Sequence, residues 1–112
     1  MILQNEFIKK RIFMNNIVKE NEILDDLQVN ELYIIQKKDG FKFGTDAVLL
    51  SDFARKTKAD KILDLCTGSG IIPLLLCAKT KAQHIVGLEI QDEVAEMAQR
   101  SVSYNGLEDR VL

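Results

Sequence analysis

Apolar positions follow different rhythms along the chain, and each rhythm predicts its own elements. Over residues 1 to about 26, Ile8, Ile12 and Phe13, then Ile17 and Val18, recur at a weak helical spacing in a polar background. From Leu32 the rhythm shortens. Leu32-Tyr33-Ile34-Ile35-Gln36 is β-branched and aromatic, Lys37-Lys38-Asp39-Gly40 carries turn residues, and Phe41-Lys42-Phe43 alternates. This stretch predicts a β-hairpin closed at Asp39-Gly40. Gly44 breaks the pattern. Thr45 or Asp46 then offers a side-chain oxygen to cap a helix over residues 47 to about 56, with Leu49, Leu50, Phe53 and Ala54 as its apolar stripe.

Beyond the linker Lys58-Ala59-Asp60, strands and helices alternate. Ile62-Leu63-Asp64-Leu65 predicts a strand from Lys61, and Cys66-Thr67-Gly68-Ser69-Gly70 a tight loop. The apolar run from Ile71 to Ala78 predicts a helix with Pro73 in its first turn, where a missing N–H costs little. Ile85-Val86-Gly87-Leu88 predicts a second strand that ends on Glu89. A helix beginning at Gln91 or Asp92 places Val94, Ala98 and Val102 on one face, and Asn105-Gly106 closes it as a left-handed cap. Arg110-Val111-Leu112 reads as the start of a third strand. The order is that of an α/β, Rossmann-like nucleotide-binding unit, incomplete within this sequence. Residues 1–26 form a polar arm. Residues 27–112 form part of one domain, with the hairpin and helix over 31–56 and the βαβα unit over 60–106.

Composition narrows the class. A chain of 112 residues allows one domain, and 46% hydrophobic with 29% charged residues is ordinary for a soluble globular protein. The net charge of −2 excludes a general polycation. The first twenty residues nevertheless carry Lys9, Lys10, Arg11 and Lys19 against Glu6 and Glu20, a net +2 (four minus two) that suits a solvated basic tail or a phosphate-contacting arm. Cys66, Cys77 and the single His84 make neither a zinc spacing nor a disulfide framework, so no metal is expected. No apolar run is long enough to span a bilayer, and Asn5 and Glu6 interrupt Met1-Ile2-Leu3 before a signal core develops. These features point to the cytoplasm. Met14, followed by Asn15-Asn16, is an alternative start to Met1.

The glycine loop lets backbone approach a ligand where a Cβ would collide. A P-loop needs a Gly-Lys-Ser/Thr ending, which is absent, and Gly68-Ser69-Gly70 is followed by Ile71-Ile72-Pro73 rather than by the third glycine of a dinucleotide loop. Asp64 stands at the end of the strand with no basic residue nearby. A carboxylate there opposes a pyrophosphate and favours a ligand that carries an ammonium and a sulfonium. S-adenosylmethionine fits better than NAD or ATP. Glu89, nineteen residues after Gly70, suits a carboxylate that accepts hydrogen bonds from ribose hydroxyls.

Residues 60–107 resemble the S-adenosylmethionine-binding half of a class I methyltransferase. Asp64-Leu65-Cys66-Thr67-Gly68-Ser69-Gly70 matches the first motif of that class, and Val86-Gly87-Leu88-Glu89-Ile90 the second. Upstream, Asp25-Asp26-Leu27, Ile35-Gln36 and the run from Phe41 through Gly44-Thr45-Asp46 to Leu50 are similar to the N-terminal segment of bacterial methyltransferases that modify the exocyclic amine of adenine next to the anticodon of valine tRNA. The resemblance implies S-adenosylmethionine as cofactor and tRNA as partner. It places Asp64 near the methionine ammonium, Gly68 and Gly70 in the loop floor with Cys66, and Glu89 on the ribose with Ile90 beside it. Phe43, Thr45 and Asp46 line the methionine end.

Two departures stand out. Cys66 occupies the usual first glycine of the motif, which is tolerable if its φ stays negative. The sequence also contains no fourth strand, no acid after the third strand and no Asn-Pro-Pro-Tyr-type motif, which in adenine-amine enzymes holds the target amine and stacks the extruded base. No catalytic residue is therefore assigned to this chain, which is expected to be the inactive N-terminal portion of a longer enzyme. An apolar first strand left at an open edge invites self-association. Two other readings remain: the same cofactor with a protein glutamine or another base as acceptor, or a non-enzymatic remnant that binds RNA or a partner through its basic arm.

Overall fold

The structure, a computed structural model, describes residues 17–112. The weak helical spacing expected over residues 1 to about 26 falls largely on residues 1–16, which lie outside that range with the alternative start at Met14 and the basic residues Lys9, Lys10 and Arg11; within it, residues 22–26 are extended. The described elements are β1 (Glu22–Asp26), β2 (Tyr33–Lys37), α1 (Thr45–Ala54), β3 (Lys61–Leu65), α2 (Ile71–Lys79), β4 (His84–Leu88) and α3 (Asp92–Tyr104).

β3 and β4 pair in parallel, from Lys61 opposite His84 to Leu65 opposite Leu88, with α2 as their crossover. Val111 bridges Ile85 in parallel on the far side of β4, so a third strand begins where the sequence predicts one. The apolar run of α2 buries Ile71 and all of residues 73–77, because a helix apolar around its whole circumference is stable only when covered on several sides. On one side Leu76 and Cys77 pack with Ala82, Ile85, Val102 and Val111. On another, Ile71, Leu74 and Leu75 pack with Ile34 of β2. Arg110 closes the end of α2: its guanidinium donates to the carbonyls of Cys77, Thr80 and Ala82, where the helix dipole is negative. The mixed α/β, partial Rossmann-like architecture is as expected.

The predicted hairpin does not form. β2 pairs antiparallel with β1, from Glu22 opposite Lys37 to Asp26 opposite Tyr33, and not with residues 41–43. Residues 22–26, read as part of a polar arm, are a strand. The connection between them reverses without a glycine: Gln28, Asn30 and Glu31 take φ values of 55°, 48° and 55°, and Leu27 N–H donates to Leu32 O at 2.9 Å. Asp39-Gly40 only turns the chain into an irregular segment.

Side chains of α3 and of its C-cap, Asn105, dock this hairpin. Ile35 N–H donates to Ser101 Oγ at 2.9 Å, and Asn105 accepts from Tyr33 N–H and donates to Tyr33 O. Residues four apart on a helix face thus complete the free edge of β2. Arg100, on the same helix, forms two 2.7 Å bonds to the Glu22 carboxylate and two more, at 2.7 and 2.9 Å, to Glu96. α3 itself carries Asp92 and Glu93 in its first turn and is followed, after its C-cap Asn105, by Gly106 with φ 66°, the left-handed closure expected there.

α1 differs from expectation in its cap and its orientation. Gly44 is the N-cap, with no side-chain capping bond from Thr45 or Asp46. Three residues of the expected apolar stripe face outward, Leu49, Leu50 and Phe53 at 62%, 56% and 86% exposure, and only Ala54 turns inward. The inward face is instead small: Ser51 is fully buried, and Ala47, Val48 and Ala54 are half-buried against the core formed around α2. The buried side chain of Lys79 joins the two helices, donating to Ser51 Oγ, Val48 O and Asp52. β3 has no strand on its outer edge among the described residues, and Leu63 and Leu65 are exposed there.

The Arg100 guanidinium holds the Glu22 carboxyl below its ordinary value of 4.5. A carboxylate depressed in the folded state contributes stability that is complete above its unfolded pKa and lost as pH falls through the lower folded value. Urea titrations should show Arg100→Ala destabilised by about 2–3 kcal/mol at neutral pH, because it strands a nearly buried carboxylate. The gap between the two proteins should narrow as pH drops below the ordinary glutamate range. An unchanged gap would mean the pair contributes no linkage.

Candidate functional site

The loop after β3 reverses through three left-handed residues. Cys66, Gly68 and Gly70 have φ values of 59°, 60° and 83°. Cys66 therefore contradicts the expectation of a negative φ: a residue with a Cβ occupies a conformation that favours glycine, at a local cost that the β3–β4 register sustains. Thr67 N–H continues that ladder by donating to Leu88 O at 2.8 Å. Gly70 is the N-cap of α2, where a Cβ would stand 3.3 Å from Ala98 Cβ. Gly87 matters for a different reason. A Cβ there would come within 2.8 Å of the Thr67 side chain, so its absence lets the loop close over β4.

Glu89, one residue past β4, joins the loop to α3. Its Oε1 accepts from Gly68 N–H at 3.1 Å and its Oε2 from Gln91 N–H at 2.9 Å. Asp64 on β3 is half-buried, and its Oδ2 is buried with no hydrogen-bond partner among the described residues. A carboxylate can only accept, so this oxygen calls for a donor.

A cleft of about 670 Å³ opens at the carboxyl ends of β3 and β4. The glycine loop forms one wall, residues 40–44 with the start of α1 a second, and α3 a third. Asp64, Cys66, Gly68, Glu89, Phe43 and Asp46 line it together. Three other predicted residues sit apart. Gly70 lines a smaller cavity behind the loop, Thr45 opens α1 without lining the cleft, and Ile90 is 93% exposed outside it. Lys37 and Glu93 were missed by the sequence reading; they form an exposed ion pair at 3.4 Å and both line the cleft. Their signal is tertiary, since they lie 56 positions apart. Among the described residues, the lining holds four carboxylates, Asp46, Asp64, Glu89 and Glu93, against one cation, Lys37. Such a cleft favours a cationic ligand and disfavours a polyphosphate. Among the described residues, no group of His, Cys, Asp and Glu is arranged to hold a metal ion, and no helix is long and apolar enough to cross a membrane.

Parallel strands, a glycine loop between the first strand and its helix, and an acid at the end of the second strand define the first half of a Rossmann-like, methyltransferase-type fold. The fold of Methanocaldococcus jannaschii Trm5, solved in complex with adenosine, matches 85% of this chain and 29% of that one with a TM-score of 0.62 at 18% identity. The sequence is similar to proteins named tRNA1(Val) (adenine(37)-N6)-methyltransferase: 34% identical over 85 residues to that of Bacteroides thetaiotaomicron, 35% over 85 residues to that of Flavobacterium johnsoniae, and 32% over 100 residues to that of Mannheimia succiniciproducens. These matches cover 75%, 75% and 88% of this chain. The chain spans little more than a third of those relatives' length: 36%, 36% and 39%. No family model matches it. The expected resemblance to bacterial valine-tRNA adenine-N6 methyltransferases is borne out.

Replacing Cys66 by glycine removes a left-handed side-chain cost of about 1–2 kcal/mol and adds a glycine entropy cost of about 0.5–1 kcal/mol. Cys66→Gly should therefore raise stability by about 0.5–1 kcal/mol, read as a higher urea midpoint at unchanged slope. A lower midpoint would contradict the strain assigned to this position.

Proposed function

We propose that this chain forms the S-adenosylmethionine-binding half of a methyltransferase acting on the exocyclic amine of an adenine in tRNA. The observation that carries the cofactor is the buried Asp64 Oδ2, unpartnered among the described residues, in a cleft that those residues line with four carboxylates and one lysine. An ammonium donor satisfies that oxygen, whereas a pyrophosphate would meet uncompensated negative charge. The residues present fit the cofactor.

Asp64 would accept from the methionine ammonium. The backbone at Cys66 and Gly68 forms the loop floor, and Gly70 sets the turn into α2 behind it. Each Glu89 oxygen already accepts one backbone N–H and keeps a second lone pair for a ribose hydroxyl. Ile90 offers an exposed apolar side chain next to Glu89 for the purine. Phe43 and Asp46 bound the methionine end, with Thr45 between them in sequence. When bound, S-adenosylmethionine supplies an electrophilic methyl group on a sulfonium, open to in-line attack by a neutral amine nitrogen. The chain's contribution to that step is orientation, while the negative field of the cleft favours binding of the cationic cofactor; no proton has to be taken up by a residue of this chain for the attack itself. The adenine acceptor and the tRNA partner rest on the similarity to the named relatives, and a cytoplasmic location accords with such a substrate.

Calorimetric titration tests the cofactor. The chain should bind S-adenosylmethionine, and Asp64→Asn should weaken binding about 10- to 100-fold, the range for a lost hydrogen bond between charged groups. A chain that gives no heat with S-adenosylmethionine would falsify the reading.

A further inference from the structure

The wall of the cleft that faces the glycine loop is the least supported part of the site. Gly40, Phe41 and Phe43 line it, yet residues 39–43 belong to no helix or strand. Among the described residues, one hydrogen bond joins this segment to another element: Phe43 N–H donates to Gln36 Oε1 at 3.1 Å. The Gln36 side chain belongs to a residue only 2% exposed, and its Nε2 donates at 2.6 Å to Asp25 Oδ2 on β1.

The order of these bonds is dictated by chemistry. A carboxylate only accepts, so Asp25 draws the amide nitrogen of Gln36 toward itself and leaves the amide oxygen facing Phe43 N–H. β1 thereby orients Gln36, and Gln36 holds the backbone that presents the Phe43 ring, which is partly buried against Ile34, Ile71, Leu74 and Leu75. Ordering a loose segment at the moment of binding costs affinity, and a segment held in advance avoids that cost. We infer that Gln36, oriented by Asp25, is a positioning residue that pre-sets the Phe43 wall for the methionine end of the cofactor. This inference rests on the cofactor reading above, and it adds a specific ligand moiety to a residue that does not itself line the cleft.

The test compares S-adenosylmethionine with adenosine, which lacks the methionine moiety. In Gln36→Leu, which keeps the site filled but removes the acceptor, S-adenosylmethionine affinity should fall about five- to tenfold while adenosine affinity stays unchanged. Gln36→Glu sets two carboxylates against each other and should lose the same discrimination. The double variant Asp25→Asn with Gln36→Glu restores a donor facing an acceptor and should recover it. Amide hydrogen exchange at Phe43 should quicken in Gln36→Leu and return to the wild-type rate in the double variant. Equal loss for both ligands, or no loss for either, overturns the inference. If Gln36→Leu does not fold, Asp25→Ala is read for the same split. If the wild-type chain binds neither ligand, the cofactor reading fails, and unchanged Phe43 exchange in the variant then overturns the clamp independently.

Discussion

The bond from Gly68 N–H to the Glu89 carboxylate ties the end of one parallel strand to the end of the next, and the cleft depends on it. It forms because the β3–β4 register sets Leu65 opposite Leu88, so the loop after one strand meets the acid after the other. The same carboxylate accepts from Gln91 N–H and fixes where α3 begins. Gly87 makes the closure possible by leaving room for Thr67, and the left-handed residues after β3 aim the loop. With these in place, Asp64 is left half-buried with an oxygen in search of a donor. The electrostatic character of the site follows from a register and two glycines as much as from its acidic residues.

A second set of contacts brings the remaining walls to that centre. α3 and its C-cap reach the hairpin through three side chains: Arg100 to Glu22, Ser101 to Ile35 and Asn105 to Tyr33. Lys79 does the equivalent for α1, replacing an apolar contact with a charged one over a small-residue face. Polar side chains are here the attachment points of whole elements, because each meets a backbone group or charge that would otherwise be buried unsatisfied.

Much of this was legible from residue order. The β3–loop–α2–β4–α3 unit shows itself through local signals: an unbroken apolar run for α2, glycines flanked by strands, an acid at each strand end, and Asn105-Gly106 at the helix terminus. Asp64, Cys66, Gly68 and Glu89 meet at the cleft because their spacing is set within that single unit. What lies upstream was less legible. The β1–β2 turn uses Gln28, Asn30 and Glu31 in left-handed conformations with no glycine to announce it, whereas Asp39-Gly40 announces a hairpin that does not form. The outward face of α1 carries the large apolar residues, so periodicity alone chose the wrong side.

Sequence by itself determined the local chemistry: which stretches extend, where the backbone must turn through glycine, and that two acids flank a loop without a lysine. Those properties are short-range, settled by sterics and by charge within a few residues. Tertiary structure decided the partners. It paired β2 with β1, turned Ser51 rather than Leu50 toward the core, pushed Cys66 into a left-handed conformation, and joined Lys37 to Glu93 across the cleft. Each of these outcomes depends on which distant surface meets a buried polar group or an apolar face in the folded chain, and such competition leaves no mark in local order.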